Sequence, residues 1–318
     1  MATTSNRLPF PVPELCFGTA PLGNAPSTYG HGVSIDEALA TIRAIFDEQD
    51  SFIDTSRNYG NGLSEELIGE VVRERGGFPE HTILSTKIDR DFETRHLDAA
   101  RARRSLEISL TKLGVDRIDI LHLHDPEHCA DLDEIVRKGG AMDELFKMKD
   151  EGLASAVGLA MGSVPLMSEL LPRWEFDALI NHNRWTLLNR TADRMYSDAH
   201  DRGIAILNAA PYAGGVFAKG SHRSNRITYQ VVTDEAMSPV RRIEEICARH
   251  GVPTGAVALQ FSIRDPRVAS TIVGVSKPER ISQSREWADL TVPDACWNEI
   301  LALPVGNDDP EAGRDIRA

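Results

Sequence analysis

The chain has 318 residues, of which 41% are hydrophobic and 26% charged, with a formal net charge of -13 at pH 7. This is the composition of a soluble protein with a sizeable core, and the acidic balance argues against nucleic acid or an anionic membrane as partner, because both reward Lys and Arg. No apolar run approaches the roughly 18 residues a membrane span needs, and Cys16, Cys129, Cys247 and Cys296 lack metal or redox spacing, so they read as reduced thiols of a cytoplasmic protein.

Residues 14–19 form a short apolar run, followed over 20–32 by the Gly, Pro, Asn and Ser of a loop. Ser34 and Glu37 have capping-box spacing, and Ile35, Leu39, Ile42 and Phe46 recur at helical period, which predicts a helix over 35–49. A strand over 51–54 and a helix over 63–74 come next. A β-rich run at 82–88 precedes a long helix over 95–113 that ends at Gly114. Residues 117–124 are almost continuously aliphatic, as in a parallel strand buried on both faces.

The alternation continues with a helix at 131–150, a strand at 155–159, a helix at 164–171, a strand at 177–181 and a helix at 192–201. A strand at 204–209 leads into a long loop over 210–233, helical segments at 240–250 and 254–263, a strand at 270–275 and a helix at 278–288. Eight strand-then-helix units, with no G-x-G-x-x-G after the first strand, predict a single-domain (β/α)8 TIM barrel instead of a doubly wound sheet. Its core covers about residues 15–290, with a tail over 291–318 whose charged end, 307–318, is expected to fray.

Barrel enzymes keep their chemistry at the carboxyl ends of the strands. Asp54 closes the second strand and Tyr59 follows in a loop with Gly60 and Gly62. Alone, the pair reads equally as a loop-capping acid and a phenol covering the mouth. Lys87, at the end of Ile83-Leu84-Ser85-Thr86, has a buried stem and a charge that needs a partner, which Asp54 on the adjoining strand supplies. The ammonium is then expected to lower the Tyr59 pKa and make the phenol a proton donor or acceptor. His124 closes Ile118-Asp119-Ile120-Leu121-His122-Leu123 at the same rim. His122 shares its strand face. With His182, the His-x-His pair also has the look of a metal site, but it sits on the fourth strand and the eighth offers no Asp, so no metal is assigned and His122 reads as a core group.

Phe52-Ile53-Asp54-Thr55 with Tyr59-Gly60, Ser85-Thr86-Lys87, Arg104-Ser105-Leu106 and Ile118-Asp119 leading to His124 resemble the motifs of the aldo-keto reductases over about residues 15–290. The resemblance implies Tyr59 as general acid/base, Asp54 and Lys87 as the pair that tunes it, and His124 as the group orienting a carbonyl or hydroxyl. It also implies a nicotinamide cofactor bound across the barrel mouth near Gly18, Asp54, Ala160, Ala210, Gly274, Ser276, Arg280 and Ser284. Arg184-Trp185-Thr186 and Ala210-Pro211-Tyr212 are most similar to the aldose 1-dehydrogenase branch, which includes fucose, galactose and pyridoxal 4-dehydrogenases.

That branch implies oxidation of a sugar hemiacetal or similar small alcohol, with Tyr59, His124, Trp185 and Tyr29 expected at the substrate, and Phe17 and Tyr212 as further rim aromatics. NADPH-dependent reduction of an aldehyde or ketone is the alternative, and a cofactor-sensing module like the potassium-channel β-subunits a more distant one. Relatives specific for NADP carry Lys where Gly274 stands, while Arg280 occupies the place of an arginine that meets a 2'-phosphate, so the cofactor is NAD or NADP with a lean to NAD. Ala160-Met161 replaces the Ser-Asn that often grips the carboxamide. The expected partner is a small molecule, with a homo-oligomer possible in this branch.

Overall fold

The computed structural model describes residues 7–312 and 314, with the side chain of Tyr29 not among those described. Eight parallel strands close into a barrel: β1 Leu15–Gly18, β2 Ser51–Asp54, β3 Thr82–Ile88, β4 Ile118–His124, β5 Ala154–Met161, β6 Ala178–His182, β7 Ala205–Ala209 and β8 Val268–Gly274. Each pairs with its chain neighbours, and β8 closes on β1 through Leu15↔Thr271 to Gly18↔Gly274. The nearly unbroken aliphatic run that marked the fourth strand has a simple cause. Ile118, Ile120, Leu121 and Leu123 of β4 are all fully buried, Ile120 in the barrel interior and Leu121 and Leu123 against the surrounding helices.

Two cores result. An inner one, with Phe52, Ile120, Ala156, Ala178, Leu207 and Ile272, is covered at its amino end by Leu8 and Val12. A larger outer one lies between strands and helices. The helices that follow the strands are α1 Ile35–Phe46, α2 Leu63–Arg75, α3 Ala99–Leu113, α4 Ala141–Asp150, α5 Val164–Leu170 and α6 Asp193–Asp201. After the long seventh loop come α7 Ser238–Arg249, α8 Thr254–Ile263, α9 Glu279–Asp289 and α10 Asp294–Leu301. The Ser34 side chain accepts from the Glu37 amide, as its capping-box position predicts.

Four segments differ from the sequence reading. The helix expected over 95–113 begins at Ala99, because the Asp98 side chain accepts from the Arg101 amide at 2.7 Å and caps it there. The helix expected over 131–150 is broken into Asp133–Val136 and α4, where Gly139 adopts φ 73. The chain past 306 does not fray as far as it is described. Gly306 bonds Leu188 O, Asn189 Nδ2 donates to Asp308 O, Gln230 Nε2 donates to Pro310 O, and Arg184 pairs with Asp309 at 2.5 Å, which straps this segment across the barrel mouth. The loop over 210–233 also carries structure of its own, a short helix Val216–Lys219 and a hairpin of Arg226–Ile227 with Gln230–Val231. No helix among the described residues is long and apolar enough to cross a membrane.

Candidate active site

Strand register places the polar residues. Asp54 pairs with Gly18 on one side and Ser85 on the other, Lys87 lies beside His122, and His124 beside Ala160. Because side chains alternate, Asp54, Lys87 and His124 all reach the carboxyl end of the interior. Lys87 Nζ donates to Asp54 Oδ1 at 2.7 Å and to Thr55 O at 2.6 Å, while Ser85 Oγ donates to Asp54 Oδ2 at 2.8 Å. The ion pair is buried at 2% and 4% side-chain exposure, so it persists because these extra hydrogen bonds satisfy both charges.

Tyr59 stands on the turn after β2. That turn is held by a backbone-on-backbone contact: a Cβ at Gly60, whose φ is +61, would lie 2.0 Å from Gly23 O, and one at Gly23 would lie 2.6 Å from Gly60 N. Lys87 Nζ sits 4.7 Å from the centroid of the Tyr59 ring, and His124 meets that ring edge-on at 6.0 Å. The expected lowering of the phenol pKa is therefore corrected. Burial first, then the Asp54, Asp125 and Asp89 carboxylates, raise it well above the ordinary tyrosine value, and the ammonium is engaged by Asp54 and Thr55.

His124 Nδ1 bonds Asp89 Oδ1 at 2.6 Å, and its Nε2 lies 3.5 Å from Asp125 Oδ2. Burial alone would lower its pKa, but the Asp125 and Asp89 charges and the Asp89 hydrogen bond outweigh burial and the opposing Lys87, so the net shift is upward. His122 is wholly buried, and neither ring nitrogen has a partner among the described groups. Burial, then Lys87 and His124, hold it well below the usual histidine range, as a neutral core ring. Among the described residues no group of three or more His, Cys, Asp or Glu is placed to hold a metal ion. His182 instead bonds Glu311 at 3.0 Å.

These groups open onto a cavity of about 360 Å³, lined by Asp54, Tyr59, Lys87 and His124 and also by Gly18, Ala160, Ala210, Gly274, Ser276, Arg280 and Ser284. Trp185 does not line it. Asn183, at φ 63, turns the chain outward after β6, and Trp185 packs against Tyr196 and Phe261 of the helical layer, under the Arg267 guanidinium. Phe17 is likewise core, whereas Tyr212 reaches the cavity and meets Trp287 edge-on. Tyr29 closes a short helix, Pro26–Tyr29, and its side chain lies outside the described set.

Sequence reasoning missed several lining residues, Lys219, Tyr229, Trp287 and Arg314 among them, and it missed Asp89. Asp89 had a local signal: it lies two residues beyond Lys87, and the period of two carries it to the same side.

The donor set along one side of the cavity fits a dinucleotide. Lys219 and Arg280 offer cations that would suit phosphates and Ser276 a hydroxyl, Ser276 and Arg280 at the end that leads into α9. Ser284 Oγ donates to Arg280 O at 2.7 Å, so its proton is engaged within the helix and its oxygen is left to accept. At Gly18, which lines the cavity, a Cβ would approach Ile272 Cγ2 to 3.0 Å, so a larger residue there would have to displace the Ile272 side chain.

Comparison with known proteins shows the family. The profile of the Aldo/keto reductase family matches residues 14–303. D-threo-aldose 1-dehydrogenase of Pseudomonas sp. is 31% identical over 91% of this chain and 93% of its own length, pyridoxal 4-dehydrogenase of Microbacterium luteolum 26% over 91% and 93%, and L-galactose dehydrogenase of Arabidopsis thaliana 28% over 93% and 92%. Among solved structures, the glycerol dehydrogenase of Gluconobacter oxydans superposes with a TM-score of 0.74 at 20% identity, covering 96% of this chain and 98% of its own, which speaks for the fold. The chain belongs to the aldo/keto reductase family and is an oxidoreductase of CH–OH and carbonyl groups.

Proposed function

We propose that this site oxidises a sugar hemiacetal, or a similar small alcohol, to the corresponding carbonyl product, with NAD or NADP as acceptor. The observation that carries the reading is the meeting of Tyr59, the Lys87–Asp54 pair and His124 at the rim of one cavity that also bears Lys219, Ser276 and Arg280. The similarity to D-threo-aldose, L-galactose and pyridoxal dehydrogenases supports the substrate class. Bound nicotinamide would accept the hydride, which leaves the substrate carbon with its electron pair. The chain supplies the rest: the substrate hydroxyl proton passes to the Tyr59 oxygen, and His124 Nε2 orients the substrate oxygen. Gly274, where NADP-specific relatives carry Lys, tilts the cofactor toward NAD.

The raised Tyr59 pKa favours a second reading, because a phenol that keeps its proton is a ready acid for carbonyl reduction with NADPH. One panel separates the two: initial rates of aldose oxidation with NAD and NADP beside aldehyde reduction with NADH and NADPH. We expect aldose oxidation with NAD to be the fastest, and Tyr59→Phe to lower kcat by about 10²- to 10⁴-fold, the usual worth of a general acid/base. Unchanged turnover in Tyr59→Phe would sink the proton-transfer role.

A further inference from the structure

We propose that Asp89 is the positioning residue for His124, accepting the Nδ1 proton so that Nε2–H is aimed at the substrate oxygen; this rests on the oxidoreductase reading of the same site. The geometry carries it. Asp89 is fully buried one residue past the end of β3, and its Oδ1 lies 2.6 Å from His124 Nδ1. Its other oxygen is held from two directions, by Ser56 Oγ at 2.7 Å and by the Asn58 amide at 2.9 Å, while its own amide donates to Ser105 Oγ of α3 at 2.9 Å. A carboxylate gripped by two donors of the β2 loop, on a residue whose own amide is tied to α3, cannot swing away, so the imidazole ring it binds is fixed in both tilt and tautomer.

The same contacts give a role to two residues beside Asp54 that the sequence left without one. Ser56 and Asn58 fasten the Tyr59 turn to Asp89. Asp89 therefore ties the phenol's loop and the imidazole to one carboxylate, and the two groups that must meet the same substrate oxygen share an anchor.

The charges around His124 set the expected protonation. Asp89 from the β3 end and Asp125 from its own loop favour imidazolium, Lys87 of β3 opposes it, and the neighbouring His122 is neutral. Tyr59 faces the ring edge-on, and His182 of β6 acts on Asp125. Asp89 itself is pushed up by burial, but His124 and the Ser56 hydroxyl outweigh this and keep it ionised.

The test is a titration of His124 by nitrogen-15 NMR in the protein without substrate, on wild type and Asp89→Asn. In wild type the ring should carry both protons at pH 7, with a strongly deshielded Nδ1 proton, and titrate above the ordinary histidine value of about 6.5. In Asp89→Asn, which keeps an oxygen for Nδ1–H and loses the charge, the midpoint should fall by about one unit or more. Turnover should fall about ten- to a hundredfold, mainly in kcat, and the limb of the pH profile set by His124 should move to lower pH. A merely structural role would lower activity equally at every pH and leave the profile in place.

An unmoved His124 midpoint in Asp89→Asn overturns the proposal. If that variant does not fold, the wild type decides alone: His124 titrating near 6.5 without a deshielded Nδ1 proton overturns it as well. Wild type without turnover on any aldose or aldehyde would remove the oxidoreductase reading of the substrate, while the His124 titration still decides the role of Asp89.

Discussion

Tyr59 holds its proton more tightly than a tyrosine in water, and the direction of that shift fixes a pH dependence. Oxidation needs the phenolate to receive the substrate proton, and reduction needs the phenol to give one. With the folded pKa above the ordinary value of about 10, kcat/KM for oxidation should climb from about pH 7 to pH 10, whereas reduction should show no loss from Tyr59 over that span. Parallel profiles for the two directions would show that another group sets the limb. Elsewhere in the barrel Glu65 is a buried acid with no part in the chemistry. Its carboxylate accepts from Thr86 Oγ1 at 2.7 Å and Ser109 Oγ at 3.1 Å, yet burial outweighs these bonds and raises its pKa to about 7.

For an acid the sign follows from which state holds the proton. Below the unfolded value of 4.5 both states are protonated and the stability associated with Glu65 is fully present. As pH rises through about 7 the folded state must bury a charge and that stability is lost, on the order of 3 kcal/mol in all. Glu65→Gln keeps both hydroxyl partners without the charge. Urea midpoints of wild type and variant should therefore diverge between about pH 5 and 8, the variant becoming relatively more stable at the upper end. Curves that stay parallel would place the Glu65 titration elsewhere.

At the scale of elements, the segment past Gly306 is a strap with one main fastening. Glu311 accepts from Asn183 Nδ2 at 2.6 Å, Arg184 Nη1 at 3.0 Å and Arg314 Nη1 at 3.0 Å, besides its bond to His182. Burial alone would raise this carboxylate's pKa, but His182, then Arg184 and Arg314, hold it far below the usual range. Arg314 in turn lies over the Tyr229 ring and lines the cavity. Glu311→Ala removes the hub of the fastening. Because the strap crosses the mouth without entering the barrel core, it should release locally, with amide exchange of residues 306–312 rising at least tenfold and KM for substrate increasing about tenfold, while the thermal midpoint of the barrel moves by only a few degrees. Unchanged exchange in that segment would show that Glu311 does not hold the strap.

At the scale of the whole molecule, what the sequence revealed follows how local its cause is. Strands buried on both faces must be aliphatic throughout, so β4 was readable from composition alone, and the strand of Asp54 and the capped start of α1 kept their expected bounds. The residues implied for catalysis and cofactor lie along one cavity because barrel topology brings every strand's carboxyl end to one rim. Contacts distant in sequence left no such trace. Glu311 meets partners 127 to 129 residues away, and Asp89 meets His124 at a separation of 35. Trp185 was misplaced for a related reason: its nearness to a strand end was visible, but the left-handed Asn183 that turns the chain outward was not.

The two ends of the described chain sit at opposite poles of the barrel. Leu8 and Val12 cover the amino end of the inner core, whereas Arg314 stands in the wall of the cavity. A fluorophore attached at position 314 itself would therefore sit in the wall of the cavity and report its occupancy, whereas one at Leu8 would be remote from it and serve as the control.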